Sequence, residues 1–138
     1  MNAIIDTNII IDAITAREPF REKSQDIIRS VSKREFRGAI TASTITDIYY
    51  ITNKHFKDRD KAIKEIKKIF FLFDVITVTK EDCIKALETK IKDYEDSLLF
   101  ICASKWNADF IITRNAPDFS NPAIPAISPE DFLVKLCT

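Results

Sequence analysis

The chain has 138 residues, 46% hydrophobic and 30% charged, and its 21 Lys plus Arg balance 21 Asp plus Glu. A single glycine, Gly38, excludes the glycine-rich loops that cradle phosphates, and zero net charge excludes a bulk polycation strategy toward nucleic acid, though not a local basic patch. The composition supports one compact domain over residues 1–138, with Cys83, Cys102 and Cys137 as reduced core residues; no run of membrane-span length and no basic leader occur, which predicts a soluble, cytoplasmic protein.

Residues 2–5 predict a short buried strand, followed by a helix from Asp6 to about Ala16. Pro19 predicts the N1 position of a second helix reaching about Lys33. The stretch FRGAITAS predicts a strand leading into a helix that starts near Ser43 or Thr44 and ends at Phe56. On that helix Ile45, Ile48, Tyr49, Thr52 and Phe56 share a face, while Asp47 lies almost opposite, beside Tyr50 and Ile51. Being apolar nearly all round, the helix reads as interior.

KDRDKAIKEIKKIFFLF predicts an amphipathic helix with Ala62, Ile63, Ile66, Ile69, Phe70 and Phe73 on its apolar side. VITV predicts a strand and KEDCIKALE a helix; DYEDSLLFICASKW predicts a helix with an acidic first turn. DFIIT predicts a strand, and SPEDFLVKL a closing helix with Ser128 as N-cap and Pro129 at N1. Strands alternating with helices predict an α/β fold with a parallel sheet covered on both faces. Ligands then bind beyond the carboxyl ends of the strands, where Asp6 and the segment RNAPDF fall.

Four acids carry the chemistry. Asp6 follows the first strand, and can act as a helix N-cap as well as a ligand. Asp47 on an apolar helix is costly unless it is paired or bound to a cation; the alternative is a solvent-facing position. Asp96 heads a face with Phe100 and Ala103, after Asp93 and Glu95; helix capping by Asp93 accounts for part of that acidity. Asp118 follows a strand and suits a turn equally well. Converging carboxylates repel and persist with cations between them. All-oxygen donors select hard ions, so Mg²⁺ or Mn²⁺ is expected and zinc is not. Such ions suit phosphodiester hydrolysis. Arg114, beside this site, is expected to touch a substrate phosphate through its planar fork. Lys57, Lys61, Lys64 and Lys68 recur along one helical stripe, read first as a solvated face and second as a track for a phosphate backbone.

IIDTNIIIDA at the start, the acid in TASTITDIYYI, DYEDSLLFICASKWNADFIITRNAPDF and the tail IPAISPEDFL together resemble the PIN-domain family over essentially the whole chain. The resemblance implies a Rossmann-like three-layer domain with a central parallel sheet. It also implies a Mg²⁺- or Mn²⁺-dependent ribonuclease, of the kind found as toxins in VapC-type toxin–antitoxin pairs. Carried over residue by residue, the family acids fall on Asp6, Asp47 (where the family usually has Glu), Asp96 and Asp118. Thr7, Asn8, Asp93 and Asn115 stand behind these ligands; Asn115 occupies a position where many relatives carry Asp. The implied partners are an RNA substrate, an antitoxin protein and a second copy of the chain, with no membrane. Two other readings stay open. One is a PIN-like nucleic-acid-binding module without turnover. The other is an aspartyl-nucleophile phosphohydrolase, for which the neutral Asn8 is a poor acid/base.

Overall fold

The structure, a computed structural model, describes residues 1–119 and 123–138. The chain opens with β1 (Asn2–Ile5), α1 (Thr7–Ile14) and α2 (Arg21–Ser32), then β2 (Arg37–Thr41) and α3 (Ala42–Phe56). Next come α4 (Arg59–Leu72), β3 (Asp74–Ile76), α5 (Lys80–Ala86) and α6 (Tyr94–Trp106). After β4 (Phe110–Ile112) a short 3-10 turn, Ala116–Asp118, precedes β5 (Ala126–Ile127) and α7 (Pro129–Cys137). All strand pairs are parallel, in the order β3-β2-β1-β4-β5.

The strands are apolar on both sides because both faces are covered. Ala3, Ile5, Ile40 and Ile112 point into one core with Ile9 and Ile10 of α1, Ile27 and Val31 of α2, Ile48 of α3, Ile69 of α4 and Phe132 of α7. The alternate residues Ile4, Ala39 and Ile111 meet Leu99, Phe100, Cys102 and Ala103 of α6 on the other face. Period-two alternation thus feeds two separate cores from the same three strands. Gly38 marks a close approach: a Cβ there would lie 2.9 Å from Val31 Cγ2 and 3.1 Å from the Phe73 ring. Packing, rather than a turn, accounts for the lone glycine.

Several expectations are corrected. Pro19 does not open α2; it lies in a turn closed by Phe20 N–H to Arg17 O (3.0 Å), with a cis Glu18–Pro19 bond, and the helix begins at Arg21. α3 is not interior: only Thr44, Ile48 and Thr52 are buried along it, while Tyr50 and Ile51 are exposed. Phe70 leaves the core side of α4 for solvent, as does Phe71. Of the cysteines, all reduced, only Cys102 is buried; Cys137 is exposed. Asp58 caps α4 and Ser128 caps α7, accepting from the backbone N–H of Lys61 and Asp131 respectively. Among the described residues no helix is long and apolar enough to cross a membrane.

Candidate metal centre at the carboxyl edge of the sheet

The chain runs outward from β1 to β2 and β3, then returns through α5 and α6 to place β4 on the other side of β1. The direction of winding reverses between β1 and β4, so the crevice at their carboxyl ends is where a ligand site is expected. Asp6 ends β1 there, with its N–H bonded to Ile112 O at 3.0 Å. Thr113 ends β4, and its hydroxyl donates to Asp6 Oδ2 at 2.8 Å. The Asn115 N–H in turn donates to Thr113 Oγ1 at 3.0 Å. Thr113 therefore fixes the first carboxylate and the following loop at once.

Asp6 is 9% exposed and stands at the N-cap position of α1, without an aligned side-chain cap bond. Burial pushes its carboxyl above the ordinary range. The Thr113 hydroxyl, the nearby amides of Thr7 and Asn8 and the charge of Arg114 oppose that shift. Asp96, half-buried in the first turn of α6, is pushed up to about 7 by desolvation and then by the charges of Asp6, Asp93, Asp118 and Glu95. Glu95 is raised by desolvation and by Asp47, Asp93 and Asp6. The charges that act on Asp96 and Glu95 include those of Asp6, Asp47 and Asp118, so all four predicted acids lie near one edge of the sheet. Asp47, Asp93 and Asp118 are exposed on its rim. Asp93 also caps α6, accepting from the Asp96 N–H at 3.0 Å.

A cleft of about 270 Å³ holds Asp6, Asp47 and Glu95 between α3 and α6, with Tyr94, Leu98 and Leu99 on one wall. Its other wall is a chain of hydroxyls. Thr7 and Thr44 lie 3.0 Å apart, Thr44 and Thr41 2.9 Å, and Thr41 and Ser43 2.9 Å. Asp47 faces solvent at this cleft, so its carboxylate is hydrated and needs no internal partner. Glu95, Thr113, Thr41 and Thr44 were not singled out by sequence reasoning. The acidic run DYED carried a signal for Glu95; Thr41, Ser43 and Thr44 meet locally at the start of α3, and only the contact of Thr44 with Thr7 needs β1 beside β2.

Among the described residues no three His, Cys, Asp or Glu side chains crowd closely enough to enclose an ion directly. The donor set is nevertheless all oxygen, and it fits a hard cation that keeps several waters and takes one or two carboxylates directly, as Mg²⁺ does. Arg114 does not reach into this cleft. Its Nε lies 2.9 Å from Asp12 Oδ2, a charge pair without an aligned hydrogen bond, and its guanidinium covers the Phe20 ring at 4.2 Å. Asp12 is fully buried in α1, a second acid that sequence reasoning passed over.

A family model described as PIN domain matches residues 2–116. Ribonuclease VapC1 of Aquifex aeolicus (strain VF5) is 29% identical over 133 residues, covering 93% of this chain and 90% of that protein. Among solved structures, VapBC2 from Rickettsia felis bound to a DNA fragment from their promoter matches with a TM-score of 0.69 at 18% identity, over 93% of this chain and 98% of that one. A toxin–antitoxin complex from Klebsiella pneumoniae gives 0.67 at 19% identity, over 92% and 97%. The structural matches share the fold described above, and the family match extends from the first strand into the loop that carries Asn115. This chain belongs to the PIN domain family.

Proposed function

We propose that the protein is a divalent-metal-dependent endoribonuclease that hydrolyses RNA phosphodiester bonds, and that it is the toxin of a toxin–antitoxin pair. The observation that carries the reading is the gathering of Asp6, Glu95, Asp96 and Asp118 at the β1/β4 switch point, where, after burial, the charges of Asp6, Asp118 and Glu95 help to raise the Asp96 carboxyl. The ribonuclease name of the Aquifex relative and the toxin–antitoxin assemblies among the structural neighbours support the substrate class and the partner.

Asp6, Asp96 and Asp118 would hold Mg²⁺ or Mn²⁺, one or two of them directly and the rest through bound waters, with Asp47 and Glu95 completing the acidic wall. A divalent ion held there supplies Lewis acidity toward the phosphoryl group and makes a water more acidic at neutral pH. Thr113 keeps Asp6 in one orientation, so the first ligand does not reorganise when substrate arrives. Leu98, Leu99 and Tyr94 narrow the cleft and limit bulk water. The hydroxyls of Thr7, Thr41 and Thr44 offer neutral donors to sugar and phosphate oxygens. Thr7 thus acts along the cleft wall, whereas Asn115 acts through its backbone bond to Thr113.

The test is cleavage of a mixed RNA pool with Mg²⁺, Mn²⁺ or EDTA. Cleavage is expected with either metal and absent in EDTA, and Asp6→Asn and Asp96→Asn are each expected to lower the rate at least about 100-fold. Turnover that survives both substitutions would sink the proposal. Intact RNA binding without cleavage by the wild type would leave a binding module.

A further inference from the structure

A second cavity opens on the same edge of the sheet, between the first turns of α2 and α7. It measures about 240 Å³ and is lined by Phe20, Lys23, Ser24, Arg114, Ser128 and Glu130, among others. We propose that this cavity binds a backbone phosphate of the RNA strand next to the scissile one; the inference rests on the ribonuclease reading above.

Three features point to an anion. Ser24 is 1% exposed and lines the cavity, yet its hydroxyl has no hydrogen-bond partner among the described residues. Buried hydroxyls are almost always satisfied, and one left open beside a cavity calls for a ligand atom. The N-cap of α2 is Phe20, which provides no side-chain acceptor, so the amides of the first turn lack the usual cap. The positive end of this 12-residue helix therefore faces the cavity, with no side-chain cap on its first-turn N–H groups among the described residues. Arg114 is the third feature. Asp12 at 2.9 Å and the Phe20 ring at 4.2 Å keep the guanidinium at the wall. A fork of this kind suits phosphate oxygens. Lys23 adds an exposed ammonium.

Two of the acids nearby are already paired within the protein. Asp12 is already matched to Arg114, and Glu18 is paired with Arg21 at 2.8 Å. Glu130 stands exposed on the α7 side and is the acid that lines the cavity. A base is a poorer occupant than a phosphate, because Arg114 already covers the Phe20 face on which it would stack. The position also fits a continuous strand. Arg114 directly follows Thr113, the residue bonded to Asp6. With neighbouring strands about 4.8 Å apart, a site at the ends of β4 and β5 lies roughly 5–10 Å from the end of β1. A strand laid across the carboxyl ends can therefore place one phosphate among the acids and an adjacent one here.

The test measures binding without turnover. A 5′-fluorescein decauridine RNA is titrated in EDTA, by fluorescence anisotropy, against wild type, Lys23→Glu and Ser24→Ala over a salt series. Lys23→Glu is expected to raise Kd about tenfold and to reduce the salt slope by about one. Ser24→Ala changes no charge; it is expected to raise Kd by about threefold or more while leaving the melting temperature unchanged or higher. Ser24→Ala within experimental error of wild type overturns the proposal, even if Lys23→Glu weakens binding, since bulk charge then suffices. Absence of measurable wild-type binding also overturns it. Dependence of binding on Ser24 without any metal-dependent cleavage would uphold the cavity while removing the nuclease reading. Cleavage with binding indifferent to Ser24 would do the reverse.

Discussion

At the scale of single residues the site depends on Thr113 as much as on the acids. It is fully buried, donates to Asp6 and accepts from the Asn115 amide, so one hydroxyl ties β1 to the loop after β4. Thr113→Val keeps the shape and removes both bonds. The expected result is a 10- to 100-fold loss of kcat/KM toward RNA, the range of about 10–100 seen when a ligand's orienting partner is lost, with a stability cost of about 1–2 kcal/mol. Thr113→Ser should recover most of the rate. Wild-type kinetics for Thr113→Val would mean that Asp6 is oriented by something else. Asp6, Asp96 and Asp118 were legible in the sequence because a strand end and a helix first turn leave local marks. Thr113 was not, because its role exists only once β4 lies beside β1. Asp47 was found for a reason the structure does not support. Counting apolar residues around α3 suggested an interior helix, but a helix's composition does not say what lies against each face, and Tyr50 and Ile51 face solvent. Its carboxylate sits at the cleft all the same.

At the scale of elements, the alternation of strands and helices was readable because β1 and β4 are short apolar runs, and β2 carries Ala39 and Ile40, between longer helical stretches. β5 was not, since two residues carry no periodicity; it is defined by pairing with β4. Nor could local pattern show what anchors the short α5. Asp82 occupies the N3 position of a capping box with Thr79 and accepts from Lys105 of α6 at 2.6 Å. Lys105 also donates to Thr77 O at 2.7 Å. These bonds hold α5 against α6, the helix whose first turn supplies Glu95 and Asp96. The Lys105 hydrogen bond, and then that of the Thr79 amide, hold the Asp82 carboxyl below its ordinary range. A carboxyl whose folded pKa is depressed contributes stability above its unfolded pKa of about 3.9 and loses it as pH falls through the folded value. Lys105→Met is therefore expected to melt at lower temperature than wild type at pH 7, and the gap should narrow as the pH is taken below about 4. Melting curves of the two proteins collected from pH 7 to pH 2.5 decide this; a gap independent of pH would mean that Lys105 acts only through packing.

At the scale of the whole molecule, zero net charge conceals a strong segregation. Lysines stripe the solvent side of α4, while Asp6, Asp47, Asp93, Glu95, Asp96 and Asp118 collect at the carboxyl edge of the sheet. Folding without a cation brings those like charges together and strips water from some of them, so the metal-free protein is less stable than its cores alone would make it. Asp96→Asn removes the most perturbed of these charges. In EDTA at pH 8 the variant is expected to melt above wild type while cleaving RNA more slowly; under the proposed function, the site would keep activity at the expense of stability. An ion that binds only the folded chain reverses the order. At 100 times its Kd it stabilises by about 2.7 kcal/mol, roughly 5–10 °C in Tm for a chain of this size. Wild type should show that rise with Mn²⁺, and Asp6→Asn and Asp96→Asn should show little of it. Differential scanning fluorimetry with and without Mn²⁺ measures both quantities in one experiment. If Asp96→Asn melts below wild type in EDTA and responds to Mn²⁺ as wild type does, the carboxylates at this edge do not share a cation, and their gathering has some other cause.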